Sequence, residues 1–252
     1  MRLLTLARDL RRRKSREKQS LFVAEGVRSV EELLASSLTI KGVLTASQLD
    51  GAPRGLVLRQ TIAEKGVEVA AVNEQEFRSA AETESPQGVL AIAEIPERRL
   101  DALAGKASLR LLVLDAVQDP GNVGTILRTA AALGADATVA LQGTVDLWNA
   151  KVIRSSMGAN FHHHCMHLQF GELASFLTVE GIQLWGADSG GIPIADTVAP
   201  GKLALAVGNE GAGLSSSVRE YAAQLVSLPV SASVESLNVA VATGILLYQL
   251  RK

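Results

Sequence analysis

Apolar positions along this chain fall into short continuous runs, separated by stretches in which they recur at helical spacing. Leu109 to Val117 (LRLLVLDAV), Ala137 to Leu141 (ATVAL), Ile182 to Asp188 (IQLWGAD), Leu203 to Asn209 (LALAVGN) and Gln224 to Val230 (QLVSLPV) read as strands. Near-unbroken apolar runs of this length suit strands buried on both faces of a sheet. Between them lie helical patterns at 122–133, 149–156, 171–180, 214–222 and 236–250, and the histidine-rich FHHHCMHL (Phe161 to Leu168) is a further predicted strand. Alternation of strand and helix predicts a mostly parallel α/β sheet covered on both faces.

The first 95 residues read as smaller α/β units. Leu21 to Ala24 is a strand entering a helix whose apolar positions are Val27, Val30, Leu33 and Leu34. Ile40 to Ala46, Val67 to Val72 and Gly88 to Ile95 are further strands, and Asn73 with Glu76 forms a capping-box pattern at a helix start. Pro96, a charge cluster and Gly105 change the composition. A boundary is therefore expected at 96–107, between a first domain (1–95) and a second (108–252).

Charge changes this picture in one place. The chain has 252 residues, 47% hydrophobic, and a net charge of −1, so global charge says nothing about partners. Residues 1–18 carry eight Lys or Arg against Asp9 and Glu17, a local +6. A basic N-terminal arm on a mildly acidic body points to contact with RNA or DNA ahead of a merely solvated helix face. No apolar run follows the charges, which argues against a secretory leader. No stretch of 18 uninterrupted apolar residues is present, which argues against a membrane span, and a cytoplasmic protein is expected. The single cysteine, Cys165, fits a reducing compartment. All four histidines lie beside it, at 162, 163, 164 and 167. With no second group of ligands elsewhere, a surface or subunit-contact strand is favoured over a metal cluster, and no metal is expected.

Three loops follow predicted strands, where open α/β sheets hold their ligands. The first, DPGNVGTILRTAAALG (Asp119 to Gly134), offers Asn122 and, near the expected start of a helix, Arg128. The second, VGNEGAG, offers Gly208, Asn209, Glu210, Gly211 and Gly213, whose glycines allow tight turns and close backbone approach to a ligand. The third, LPVSASVESLNVAVA, offers Leu228, Ser236, Leu237 and Asn238. Capping accounts for Ser236. Asn238 is a poor interior helix residue, so a site role is expected for it. The grouping contains glycines, amides, one acid and one arginine, with no nucleophile–histidine–acid triad. It also lacks the Lys-Ser/Thr of a P-loop and the GxGxxG of a dinucleotide fold, which counts against a nucleotide-dependent enzyme.

NxGxxxR (Asn122, Gly124, Arg128), VGNEGAG and LPVxxxxxSLNVAVA resemble, in order and spacing, the three motifs of the SpoU/TrmH family of RNA 2′-O-ribose methyltransferases in the SPOUT superfamily. The resemblance covers about 109–250. Ile153 to His162 is similar to the family's SMGA segment, and the first domain resembles its small α/β RNA-binding domain. The resemblance implies an α/β parallel-sheet SPOUT domain ending in a trefoil knot, S-adenosylmethionine as cofactor, and a homodimer acting on RNA, with ribosomal RNA ahead of tRNA. It also implies that Gly208, Asn209, Gly211, Gly213, Leu228 and Leu237 hold the cofactor. Arg128, with Asn122, Glu210, Ser236 and Asn238, would form the catalytic group. Arginine holds its proton, so phosphate orientation and alkoxide stabilisation are the roles expected of Arg128 rather than general base. A catalytically silent RNA-binding protein is the alternative.

Overall fold

The computed structural model describes residues 2–231, 233 and 236–251, which form two compact units: 1–97 with 148–162, and 98–147 with 163–252. Among the described residues no helix is long and apolar enough to cross a membrane.

The first unit runs α1 (Arg2–Asp9), α2 (Arg13–Gln19), β1 (Leu21–Glu25), α3 (Val27–Ala35), β2 (Ile40–Thr45), α4 (Pro53–Glu64), β3 (Val69–Ala71), α5 (Glu74–Ala80) and β4 (Val89–Glu94). Its sheet has the order β1-β4-β2-β3, antiparallel except for the β2–β3 pair. The Asn73–Glu76 capping box at α5 forms as the sequence predicts. Helix α4 carries little apolar periodicity and was not foreseen. It is held because Leu58 and Ile62 are buried and because Gly55 packs on Leu49, where a Cβ would lie 1.8 Å from the Leu49 carbonyl oxygen.

The basic N-terminus is not an arm. Leu3, Leu4, Ala7 and Leu10 are buried in the same cluster as Phe77, Leu90 and Ile92. Charge dominates the composition of residues 1–18, but the apolar residues at i, i+3, i+4 spacing fix α1 onto the sheet.

Residues 148–162, expected in the second domain, belong to the first unit. They carry α7 (Ala150–Ser156) and α8 (Ala159–His162). Trp148 and Phe161 lie against Phe22, with ring centroids 4.7 and 5.6 Å away. Arg154 pairs with the buried Glu25 at 3.6 Å. Such long-range aromatic packing has no sequence-local signature.

The second unit runs β5 (Leu109–Asp115), α6 (Pro120–Ala132), β6 (Ala137–Ala140), β7 (His164–His167), α9 (Phe170–Glu180), β8 (Gln183–Pro193), β9 (Lys202–Gly208), α10 (Ser216–Tyr221), β10 (Gln224–Ser227) and α11 (Val239–Gln249). Its six strands are parallel throughout, in the order β10-β8-β9-β5-β6-β7. The predicted strand Phe161 to Leu168 shrinks to its last half, because 159–162 close a helical turn instead. β5 sits centrally, with β6 and β7 added on one side and β9, β8 and β10 on the other. The strand order therefore reverses between β5 and β9, the kind of point beside which open α/β sheets carry a ligand crevice at their carboxyl ends.

Candidate functional site

The crevice is a cavity of about 690 Å³ at the carboxyl ends of β8, β9 and β10. That volume is in the range of nucleoside-sized ligands. Three segments build it.

The loop after β9 is a tight hairpin. Asn209 and Gly213 exchange backbone hydrogen bonds at 2.9 Å, and Asn209 Oδ1 accepts from the N–H groups of Gly211 and Ala212, both at 2.9 Å. Asn209 Nδ2 donates to the carbonyl of Ala116, tying this hairpin to the end of β5. Gly213 has φ +70°, and a Cβ on Gly208 would lie 2.2 Å from the Gly213 carbonyl carbon, so the hairpin closes only on glycine here. The Ser215 N–H donates to Asp115 at 2.6 Å, a second tie to β5.

The loop after β10 lines the cavity with Leu228, Val230, Ser236, Leu237 and Asn238, and α11 adds Val239, Ala242 and Leu246. Asn238 is the N-cap of α11, not an interior residue: its Oδ1 accepts from Ala240 N at 2.9 Å and Val241 N at 3.3 Å. Ser236, expected to cap, lies in the loop and faces the cavity.

The third segment was missed by the sequence reading. The β8–β10 register jumps between Leu225↔Gly186 and Val226↔Ile192, so 187–191 bulge out and Ala187, Asp188 and Ser189 form a cavity wall. Asp188 pairs with Arg219 of α10, and its Oδ1 accepts from Gly190 N at 3.0 Å. A Cβ on Gly191 would lie 2.6 Å from the Leu225 carbonyl carbon, so the paired glycines after Asp188 were the available signal.

Asn122 and Arg128 do not line the cavity. Helix α6 begins earlier than expected, with Asp119 as N-cap and Pro120 in its first turn, so the GNVG glycines are helical and Arg128 lies in the third turn. Arg128 is exposed, and its side chain has no hydrogen bond or ion pair among the described residues. Its neighbour Thr129 meets α11, where a Cβ on Gly244 would lie 3.4 Å from Thr129 Cγ2.

Asn122 joins the site through a directed relay. Because Asn238 Oδ1 is occupied by backbone N–H groups, its Nδ2 must donate, and it reaches Asn122 Oδ1 at 3.0 Å. Asn122 Nδ2 then points to Glu210 Oε1, also at 3.0 Å. Partial burial pushes the Glu210 carboxyl up, but the hydrogen bond from Asn122 and the backbone N–H of Gln118 outweigh it, and it sits below the usual carboxylate range. The relay therefore ends on an ionised acceptor.

Scanned against family models, residues 110–248 match the SpoU rRNA Methylase family and residues 5–91 the MRM3-like substrate binding domain. The chain belongs to the SpoU rRNA methylase family. This SpoU methylase is similar to the 23S rRNA (guanosine(2553)-2′-O)-methyltransferase RlmP of Bacillus subtilis, 36% identical over 97% of this chain and 94% of that protein. Among solved structures it resembles an AdoMet-bound rRNA methyltransferase from Sinorhizobium meliloti, with a TM-score of 0.86 and 27% identity over 99% of this chain and 94% of that one. It also resembles the SpoU methyltransferase AviRb from Streptomyces viridochromogenes in complex with AdoMet, with a TM-score of 0.85 and 26% identity over 99% and 97% of the two chains.

The histidines of this SpoU methylase do not converge on one point. His163 is buried with its ring 2.8 Å from Thr138 Oγ1, His164 meets the Arg99 carbonyl at 3.1 Å, and His167 accepts from Leu147 N at 3.2 Å. Among the described residues no group of three or more His, Cys, Asp or Glu is placed to hold a metal. Burial pushes the Cys165 thiol up to about 11, against the nearby Arg98, so it is a packed side chain rather than a nucleophile.

Proposed function

We propose that this SpoU methylase transfers the methyl group of S-adenosylmethionine to a ribose 2′-hydroxyl of ribosomal RNA. The observation that carries the reading is the cavity at the carboxyl ends of β8, β9 and β10, whose two loops after β9 and β10 are tied together by the Asn238–Asn122–Glu210 relay.

The residues present fit the cofactor. Gly208, Asn209, Gly211 and Gly213 form a backbone cradle that side chains would fill. Leu228, Leu237 and the valines around them offer apolar walls for a purine, and Asp188 and Ser189 offer acceptors for hydroxyls. When bound, the cofactor supplies an electrophilic methyl on a sulfonium. The ribose hydroxyl that would accept the methyl would give its proton to solvent, because Arg128 holds its own.

Arg128 holds a phosphate beside the target ribose. Its guanidinium is exposed, with no side-chain partner among the described residues, and a bidentate fork suits phosphate. It lies about 9 Å along α6 from Asn122, at 1.5 Å per residue, and helical side chains lean back toward the N-terminus. Ser236 and Asn238 border the acceptor, and Glu210 with Asn122 fixes the loops around it.

The first unit holds RNA and the second carries out transfer. The protein works in the cytoplasm as a homodimer through α11. Val241, Ile245 and Tyr248, 40–59% exposed, form an apolar stripe there at helical spacing. The trefoil knot implied for the family belongs to the same reading, supported by the packing of α11 back onto α6 and β9.

The test is transfer of labelled methyl from S-adenosylmethionine to ribosomal RNA from a strain lacking the gene, followed by digestion to nucleosides. Label in a 2′-O-methyl nucleoside is the expected result. Label on a base overturns the acceptor.

A further inference from the structure

The +6 charge of residues 1–18 is carried by a folded corner, and the fold decides which cations remain available. Helices α1 and α2 meet at Leu10–Arg12. Arg16 is 3% exposed and locks the bend from inside, its Nη1 donating to the carbonyls of Leu10 at 2.8 Å and Arg11 at 2.9 Å. The carbonyls left open where α1 ends are thereby satisfied by a guanidinium, which also opposes the negative end of the helix dipole.

With the bend fixed, the outer cations are set in place. Arg8 Nε reaches Ser79 Oγ at 2.7 Å and Arg11 reaches the Ser79 carbonyl at 3.3 Å, beside the exposed Arg78 of α5. Arg13 is engaged by Glu17 at 2.7 Å. Arg12, Lys14 and Lys18 are exposed, and their side chains make neither hydrogen bond nor ion pair among the described residues. Lys14 and Lys18 stand one turn apart on the same face of α2.

Six cations thus lie along the α1–α2 corner and the end of α5 that Arg8 and Arg11 reach: Arg8, Arg11, Arg12, Lys14, Lys18 and Arg78. The rest of the chain carries a net −7. Burial of the apolar residues of α1 inside the first unit leaves that helix no apolar face to insert into a lipid surface. We infer that the α1–α2 corner is a preorganised docking site for the phosphodiester backbone of the RNA substrate, rigid rather than tethered, and gripping phosphates without reading bases. The inference rests on the RNA-methylation reading.

The experiment compares the full-length protein with an Arg12→Gln, Lys14→Gln, Lys18→Gln variant. All three residues are exposed and distant in sequence from the cofactor loops, so unchanged melting temperature and S-adenosylmethionine affinity are the controls. Binding to transcribed 23S rRNA is measured across salt concentrations. Each phosphate contact contributes about 0.7–0.9 to the slope of log affinity against log salt, so the variant loses about 2 in slope. Its affinity at about 0.1 M salt falls roughly tenfold or more, and its KM for RNA in methyl transfer rises with kcat at saturating RNA unchanged. An unchanged slope and affinity overturns the docking site, even if the wild type methylates RNA. Binding that responds as expected, with no methyl transfer by the wild type, upholds the docking site and overturns the catalytic reading instead. Binding to phosphatidylserine vesicles that falls in the variant while RNA binding does not assigns the corner to a membrane and overturns the inference.

Discussion

Asn238 and Asn122 stand 116 residues apart in sequence, yet the amide nitrogen of one lies 3.0 Å from the amide oxygen of the other. Asn238 performs two jobs with two atoms. Its oxygen caps α11, and its nitrogen orients Asn122 toward Glu210. The two jobs separate by substitution. Asn238→Asp keeps an acceptor for the cap but cannot donate to Asn122. Stability stays within about 0.5 kcal/mol, while methyl transfer falls on the order of 10- to 100-fold. Asn238→Ala loses both, adding a loss of about 1 kcal/mol. Urea unfolding beside single-turnover transfer checks the pair. Equal activity in wild type and Asn238→Asp removes the relay from the mechanism.

Arg128 is the exposed residue proposed to hold a phosphate. Arg128→Ala lowers kcat/KM by about 100- to 1000-fold and leaves S-adenosylmethionine affinity within about twofold. Arg128→Lys retains charge without the bidentate fork and falls between. Calorimetric cofactor binding alongside transfer rates measures both, and an Arg128→Ala protein at the wild-type rate rejects the role.

Gly208→Ala places a methyl 2.2 Å from the backbone of Gly213, and backbone has no rotamer by which to yield. The hairpin must open. The expected cost is about 1–3 kcal/mol of stability, with loss of detectable cofactor binding. Thermal unfolding with and without S-adenosylmethionine reads both, because a bound cofactor raises the wild-type melting temperature and not the variant's.

Asp188 and Arg219 pin the bulge that walls the cavity. Arg219→Met frees the bulge without touching the loops that carry the proposed catalytic residues. The cofactor Kd rises about three- to tenfold, consistent with a partly exposed ion pair, and kcat at saturating cofactor is unchanged. Equilibrium dialysis gives the first quantity and saturated rates the second. A drop in kcat with constant Kd contradicts this role.

His163 makes the fold acid-sensitive. Burial above all, then the charges of Arg98 and His164, push its pKa down to about 4, with Asp136 opposing. A histidine depressed in the fold is neutral there and protonates more readily when unfolded. Its contribution is therefore complete above the unfolded pKa of about 6.5 and is lost as pH falls from there toward 4. Between pH 7 and pH 5 the loss is about 2 kcal/mol. Urea midpoints at the two values, compared with His163→Gln, show whether the loss disappears with the imidazole. Glu210 acts in a lower window. Its depressed pKa keeps the relay intact at neutral pH, and the link to Asn122 weakens only as pH falls through that lowered value.

The parallel sheet was legible because strands buried on both faces leave continuous apolar runs, and β5 and β9 each carry one. The Asn73 capping box was legible for a similar reason, since its two hydrogen bonds close within three residues. Nine of the eleven expected site residues line one cavity, because glycine and amide loops at strand ends are required by local backbone geometry. The role of Asp188 was hidden. Its loop becomes a wall only through a register jump against β10, more than thirty residues later. Helix α4 was hidden because its burial depends on Leu49 and Gly55 meeting, not on a periodic stripe.

By itself, then, the order of residues determined which segments are strands, which loops carry amides and glycines, and where positive charge is dense. These are properties of local sterics, burial period and composition. Only the tertiary structure decided that the basic segment is a bent helical corner locked by Arg16, that 148–162 joins the first unit through Phe22, and that Asn238 faces Asn122. Each depends on which distant side chain supplies the partner for a buried ring, carbonyl or amide, and that choice is made when the chain closes its long loops, not before.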